Sequence, residues 1–251
     1  MARIPIALQL YSVRQYCAKD LPGTLAAVAK MGYDGVEFAG YHGRSAQELR
    51  KMCDDLGLKI AGTHIGLDTL LGDQLAATVE FNQVLGNKYL IVPGLKPERT
   101  SSKHAWLETA MIFDGIASRL KLLDLFTGYH NHFTEFALLD GELPWHTFFG
   151  NTTPEVVMQM DTGNCAHGKG DVVAMIQPYF GRARTVHLKE YSESYNTALI
   201  GEGVMPWAEI FAYCEKAGSN TDWYIVEQES YAFPPLECVD KCLQNLKKMG
   251  K

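Results

Sequence analysis

The 251-residue chain has little that would tie it to a membrane, to nucleic acid or to an oxidising compartment. No apolar stretch has the length a bilayer demands, so a spanning helix is not expected. There is no surplus of positive charge: 23 Lys and Arg stand against 29 Asp and Glu, a formal balance of −6. The molecule as a whole therefore does not attract polyanions, and nucleic-acid binding is not expected. The six cysteines, at 17, 53, 165, 214, 238 and 242, include no Cys-x-x-Cys pair. That argues against a structural zinc knuckle and favours reduced thiols. Met1-Ala2-Arg3-Ile4-Pro5 runs straight into Ile6-Ala7-Leu8-Gln9-Leu10, too short for a signal sequence with its cleavage site, and a cytoplasmic location is expected. No linker, charge run or low-complexity segment marks a second domain.

What is present is a regular alternation. Short apolar runs are seen at Pro5 to Leu10, Gly35 to Ala39, Leu58 to His64, Tyr89 to Val92, Leu122 to His130 or His132, Val156 to Asp161, Ala183 to His187 and Trp223 to Glu227. Between them lie stretches with helical spacing: Leu21 to Gly32, a helix from Ser45, Asp73 to Leu85, Trp106 to Leu120, Leu143 to Gly150, Val172 to Tyr179, Trp207 to Ala217 and Leu236 to Met249. Ser45-Ala46-Gln47-Glu48 reads as a capping box, while Gly32 and Gly86-Asn87 read as helix stops. Eight strands in strict βα alternation over about 250 residues predict an α/β fold, a (β/α)₈ TIM barrel forming a single domain over 1–251. An open doubly wound sheet would announce a glycine-rich phosphate turn after its first strand, and Leu10-Tyr11-Ser12-Val13-Arg14 has none.

In a barrel the chemistry sits where the strands end. The polar residues there are Gln9, Glu37, His64, His130, His132, Asp161, His187 and Glu227, which would ring one mouth. A lone histidine at a strand end is more often structural than a ligand, so their joint placement is what counts. His, Asp, His and Glu converging at one end of a sheet are the donors a divalent cation with open positions requires. Asp161 also reads as a turn former before Thr162-Gly163-Asn164. Glu227 also reads as a solvated neighbour of Glu229, although two carboxylates there would repel without a cation. Lys189, two residues beyond His187 and on the same face, suits an anionic or enolate oxygen, or alternatively an ion pair with Glu190 or Glu193. His167 and Lys169 lie on the loop after Asp161. Tyr11, Phe38, Trp145 and Trp207 would line the mouth or fill the core. Gly201-Glu202-Gly203 reads as a turn before the Trp207 helix rather than a phosphate cradle.

Tyr129-His130-Asn131-His132, Met160-Asp161-Thr162-Gly163-Asn164, Val186-His187-Leu188-Lys189, Gly201-Glu202-Gly203 with Trp207, and Val226-Glu227-Gln228 together resemble the xylose isomerase-like TIM-barrel superfamily. It includes sugar phosphate isomerases and epimerases, inosose dehydratase and endonuclease IV-type (AP endonuclease family 2) enzymes. The resemblance covers nearly the whole chain. It implies a site for Mn²⁺, Mg²⁺, Co²⁺ or Zn²⁺ held by Asp161, His187 and Glu227 with a fourth ligand from the 130–132 turn. There the chain departs from the usual glutamate, and position favours His130, with His132 facing substrate. The implied chemistry is proton transfer alpha to a carbonyl through an enediolate, giving a sugar isomerase or epimerase. Glu227 is one acid–base candidate, His132 or His64 the other, and Lys189 the oxyanion partner; Glu37, His64, His167 and Trp207 are expected to contact substrate. The expected partner is a small sugar or keto-polyol, and association of identical chains is left open. The alternatives are a dehydratase or lyase on a keto-inositol or 3-keto-sugar, which the paired histidines resemble, then a DNA repair endonuclease or a non-catalytic sugar-binding barrel.

Overall fold

The computed structural model describes residues 3–251; Met1 and Ala2, part of the start discussed above, lie outside the described residues. Eight parallel strands follow one another around a closed barrel: β1 (Ile6–Gln9), β2 (Gly35–Ala39), β3 (Lys59–His64), β4 (Tyr89–Val92), β5 (Phe126–His130), β6 (Val157–Asp161), β7 (Thr185–Leu188) and β8 (Trp223–Val226). The ring shuts where Ile6 lies opposite Tyr224 and Leu8 opposite Val226. The predicted (β/α)₈ barrel is the one observed. Among the described residues ten α-helices surround it: α1 (Arg14–Lys19), α2 (Leu21–Met31), α3 (Ala46–Leu56), α4 (Gln74–Leu85), α5 (Lys103–Lys121), α6 (Pro144–Phe149), α7 (Thr162–His167), α8 (Val172–Ile176), α9 (Trp207–Cys214) and α10 (Pro235–Lys248). The short α1 and α7 have no counterpart in the sequence reading. Among the described residues, no helix is long and apolar enough to cross a membrane.

The helix signals act as their chemistry requires. Ser45 Oγ accepts from the Glu48 backbone while the Glu48 carboxylate accepts from the Ser45 backbone, which closes the capping box of α3. α4 stops at Gly86, whose φ of +80° would strain any other residue. Two boundaries differ from expectation. The apolar run Leu122 to Gly128 is not strand throughout: Leu122 is 85% exposed, Asp124 turns the chain with φ 55°, and β5 starts at Phe126. The helix at 172 ends as α at Ile176 because Pro178 has no N–H to give to the Ala174 carbonyl, leaving a 3₁₀ turn over Gln177–Tyr179.

Strand alternation divides the core in two. Ile6, Leu8, Leu90, Val92, Met158, Met160, Val186, Tyr224 and Val226 face outward into the main layer between barrel and helices. Inside the barrel, Ala7, Ala61, Tyr89, Ile91, Val157, Trp223 and Ile225 form a separate plug. This inner series changes character along the axis: Ala7 leads to Gln9, Gly35 to Glu37, Val157 to Gln159 and Asp161, Ile225 to Glu227. Gln9, Glu37, Gln159, Thr185, Asp161 and His187 are all fully buried. Polar groups out of water destabilise unless bonded, so this half of the lumen is not explained by core packing.

Candidate metal centre and active site

His130, Asp161, His187 and Glu227, from the ends of β5 to β8, each bring one ligand atom to within 4.8 Å of the others. Donors around a first-row divalent ion sit about 2.0–2.2 Å from it and hence roughly 3–4 Å from one another, so little movement is needed. Asp161 explains why a cation suits the place. Its Oδ1 caps α7 by accepting from the Asn164 backbone at 2.6 Å, the turn role expected of it. Its Oδ2 is buried with no hydrogen-bond partner, the one such side-chain atom among the described residues. His130 Nε2 at 4.0 Å and Lys189 Nζ at 3.9 Å are too distant to bond it. An unpaired buried carboxylate oxygen costs free energy that a cation would offset. Two imidazoles and two carboxylates are a donor set that Mn²⁺, Co²⁺ or Zn²⁺ accepts.

A polar layer beneath aims these donors. Glu37 Oε2 accepts from His187 Nε2 and from Gln9 Nε2, each at 2.6 Å, while its Oε1 accepts from Gln159 Nε2 at 2.9 Å. Only glycine at 62 leaves room for this carboxylate, since a Cβ there would lie 2.5 Å from Glu37 Oε1. With Nε2 given to Glu37, His187 turns Nδ1 to Glu227, with which it makes a close contact. His64, His130 and His187 also approach one another closely enough to form a second cluster. Their nitrogens on that side are already engaged by Gln159 and Glu37, so the four-residue group is the better site.

Electrostatics agree with this division. Burial alone would lower the His187 pKa, but Glu37 and Glu227 on its two nitrogens raise it to about 10. Without an ion, an imidazolium therefore bridges two carboxylates. Burial raises Asp161 to about 6 against the pull of Lys189. Glu227 lies well below the usual range because His187 and Lys189 outweigh its burial. Burial, reinforced by His187, keeps His130 well below its ordinary value and so neutral.

The 130–132 turn is resolved by Asn131. Its Oδ1 accepts from the Asp161 backbone at 2.8 Å and its Nδ2 donates to the Asp161 carbonyl at 3.2 Å, so its side chain takes over pairing with β6 and the strand ends at His130. His130 is buried in the cluster. His132 is exposed on the rim, its ring 5.5 Å from that of His130. Above the cluster opens a cavity of about 610 Å³, lined by His132, Phe133, His167, Lys189, Tyr191 and Glu229 among others. His167 stacks between Phe133 at 4.7 Å and Tyr191 at 5.9 Å, which makes an aromatic wall. Lys189 donates to Asn164 Oδ1 at 3.2 Å and pairs with Glu229, not with Glu190 or Glu193.

Several expected contacts are corrected. Glu37 has no exposed surface and supports His187 from beneath instead of meeting a substrate. His64 keeps a small exposed edge, stacked 5.3 Å from His187. Trp207 is buried and donates its indole N–H to Glu190 at 2.8 Å, outside the cavity wall, because the loop before α9 folds over that carboxylate. Phe38 and Trp145 are core residues. Rim aromatics are instead Phe133, Tyr191 and Tyr195, while Tyr11 is exposed on the 3₁₀ turn that follows β1. Gly201-Glu202-Gly203 is a turn, as expected: a Cβ on Gly203 would lie 2.1 Å from the Tyr191 carbonyl. Three residues were missed as contributors, namely Gln159, Glu190 and Asn164. Glu190 accepts from the backbones of Tyr191, Gly201 and Met205 and so shapes the whole 190–207 loop.

A closed parallel barrel with a carboxylate–imidazole centre at the carboxyl ends of its strands defines a class of α/β-barrel enzymes. The chain belongs to the xylose isomerase-like TIM barrel family, whose model matches residues 25–249. A sugar phosphate isomerase/epimerase from Parabacteroides distasonis has a similar structure, with 26% identity, TM-score 0.84 and 97% of each chain covered. A D-allulose 3-epimerase from Methylomonas sp. in complex with D-allulose superposes with TM-score 0.73 at 14% identity, covering 99% of this chain and 98% of that one. The probable 3-DHS dehydratase of petrobactin synthesis from Bacillus anthracis does so with TM-score 0.69 at 16% identity, covering 97% and 98%. The last two share the fold. No protein of curated function matches the sequence.

Proposed function

We propose that this chain is a divalent-metal-dependent isomerase or epimerase that moves a proton alpha to the carbonyl of an unphosphorylated keto-sugar or keto-polyol. The observation that carries the reading is Asp161 Oδ2, buried and unpartnered among His130, His187 and Glu227. Those four would hold Mn²⁺, Co²⁺, Mg²⁺ or Zn²⁺, and the ion would polarise the carbonyl and acidify the neighbouring C–H. Glu227, kept ionised by His187 and Lys189, is the carboxylate placed to accept that proton. His132, exposed on the rim with its ring 5.5 Å from that of His130, is the second group that returns or removes a proton. Lys189 Nζ, within 3.2 Å of Asn164 and beside Asp161, neutralises charge growing on a substrate oxygen.

The cavity argues for a neutral substrate. Among the described residues its wall carries one lysine, Lys189, which is already paired with Glu229, and two further carboxyl side chains, Glu190 and Glu193. A phosphate would meet more anions than cations there. The same balance disfavours a polyanion such as DNA. The aromatic wall of Phe133, His167 and Tyr191 suits the apolar face of a sugar ring.

The test is to strip the protein with a chelator, restore single divalent ions, and incubate it with keto-sugars, keto-inositols and their phosphates in D₂O. Incorporation of one deuteron without loss of water supports the proposal, and loss of water would select a dehydratase. A protein that binds no divalent ion would overturn the metal reading.

A further inference from the structure

Gln159 stands at the centre of the polar layer, and its amide can point only one way. Its Nε2 donates to Glu37 Oε1 at 2.9 Å and to Thr185 Oγ1 at 3.0 Å. Its Oε1 faces His64 Nε2 at 2.7 Å and His130 Nδ1 at 3.1 Å. Rotating the amide by half a turn would set Oε1 against the Glu37 carboxylate, oxygen to oxygen, and aim N–H groups at two imidazoles. Glu37 cannot yield, because Gln9 and His187 hold its other oxygen from two sides.

A carbonyl oxygen has two lone pairs and no proton, so each nitrogen that bonds to it must carry the hydrogen. For His130 this puts the proton on Nδ1 and leaves the Nε2 lone pair toward Asp161 Oδ2, 4.0 Å away. We infer that Gln159 is a positioning residue: it touches no substrate, and it locks His130 in the Nδ1–H tautomer whose free nitrogen faces Asp161 and Glu227. Order runs inward to outward, from Glu37 to the Gln159 amide and from there to the imidazole. One neutral side chain thereby sets the donor atom of β5, while Glu37 directly sets that of β7. The consequence for ion affinity rests on the metal reading above; the tautomer does not. Groups that orient a ligating histidine typically change metal affinity about 10- to 100-fold when lost.

Histidine labelled with ¹⁵N in the ring reports which nitrogen is protonated, and the His130→Asn spectrum assigns the signal among the eight histidines. In chelator-treated protein, His130 is expected as Nδ1–H; finding Nε2–H overturns the inference. Gln159→Met keeps the volume but removes the acceptor. It is expected to release the His130 tautomer and weaken Mn²⁺ binding about 10- to 100-fold by calorimetry. An unchanged tautomer and unchanged Mn²⁺ affinity in Gln159→Met would overturn the inference even if the metal reading stands. If Gln159→Met does not fold, the wild-type spectrum alone decides. If wild-type protein binds no Mn²⁺, the metal reading falls while the spectrum still judges the tautomer.

Discussion

His187 Nε2 lies 2.6 Å from Glu37 Oε2, although 150 positions separate the two residues in the chain. Neither has exposed surface, and the contact joins β7 to β2 through the barrel's interior. It leaves Nδ1 as the nitrogen free to face Glu227, the arrangement in which a carboxylate behind an imidazole fixes its orientation and raises its basicity. The pair also confers a charge on His187 that any arriving cation must displace.

Ion binding should therefore release a proton. The His187 pKa of about 10 means that Nδ1 is protonated at neutral pH. Mn²⁺ affinity is expected to rise about tenfold per pH unit between pH 7 and pH 9, and calorimetry in buffers of different ionisation enthalpy should return about one proton per ion near pH 8. In the ion-free protein the sign for stability is opposite. A raised histidine pKa contributes stability that is complete below the unfolded value of about 6.5 and is lost as pH rises through about 10. Thermal melts with chelator present check this.

Asp161→Asn keeps the cap on α7, since an amide oxygen can still accept from the Asn164 backbone, but it removes the buried charge. Divalent-ion affinity is expected to fall by at least about 100-fold. Stability of the ion-free protein should move the other way. Asp161 titrates near 6 in the folded state against 3.8 for the ordinary group, so its protonated form contributes stability below the lower value that is lost as pH rises through the upper one. The difference is about 3 kcal/mol at neutral pH. Denaturant unfolding at pH 4 and pH 6.5, below the range in which His187 contributes a slope, should show this fall in the wild type and not in the variant.

Glu229→Gln should loosen the commitment of Lys189. In the wild type, inorganic phosphate is expected to be a poor competitor of substrate, because Lys189, the lysine among the described residues of the cavity wall, is already paired. Removing the partner's charge should tighten phosphate inhibition by about tenfold, the size of one charge-assisted bond partly offset by solvent. Inhibition constants for phosphate in the two proteins make the comparison.

Trp207→Phe separates scaffolding from recognition. Loss of the indole bond to Glu190 should destabilise the fold by about 1–2 kcal/mol, since that carboxylate keeps its other donors. The Michaelis constant for substrate is expected to stay within twofold, because Trp207 is outside the cavity wall. A large rise in that constant with unchanged stability would restore the expectation that Trp207 touches substrate.

Period and punctuation made the barrel legible in the sequence: apolar runs of strand length, helices stopped by Gly32 and Gly86, and a capping box at Ser45. The convergence of His130, Asp161, His187 and Glu227 was legible because all four residues are titratable and each closes a run. Gln159 escaped notice as a neutral residue inside Val156-Val157-Met158-Gln159-Met160, although its two-residue spacing from Asp161 puts both in the lumen. Glu190 was unreadable for a different reason. Its donors lie up to 17 residues downstream, in a loop whose path only the folded chain defines. Leu122 and Leu123 misled because hydrophobicity alone does not distinguish an exposed helix end from a strand start.

Four consecutive residues, His187 to Glu190, serve three compartments: the ring of His187 enters the lumen, the amine of Lys189 enters the cleft, and the carboxylate of Glu190 anchors the overhanging loop. Such a segment has no slack in its length. Adding or deleting a single residue there would swing all three groups to wrong faces at once, whereas the solvent-facing turn at Leu122–Asp124 should absorb the same change. Length variation across related chains is therefore expected to collect at the floor of the barrel and to be absent after β7.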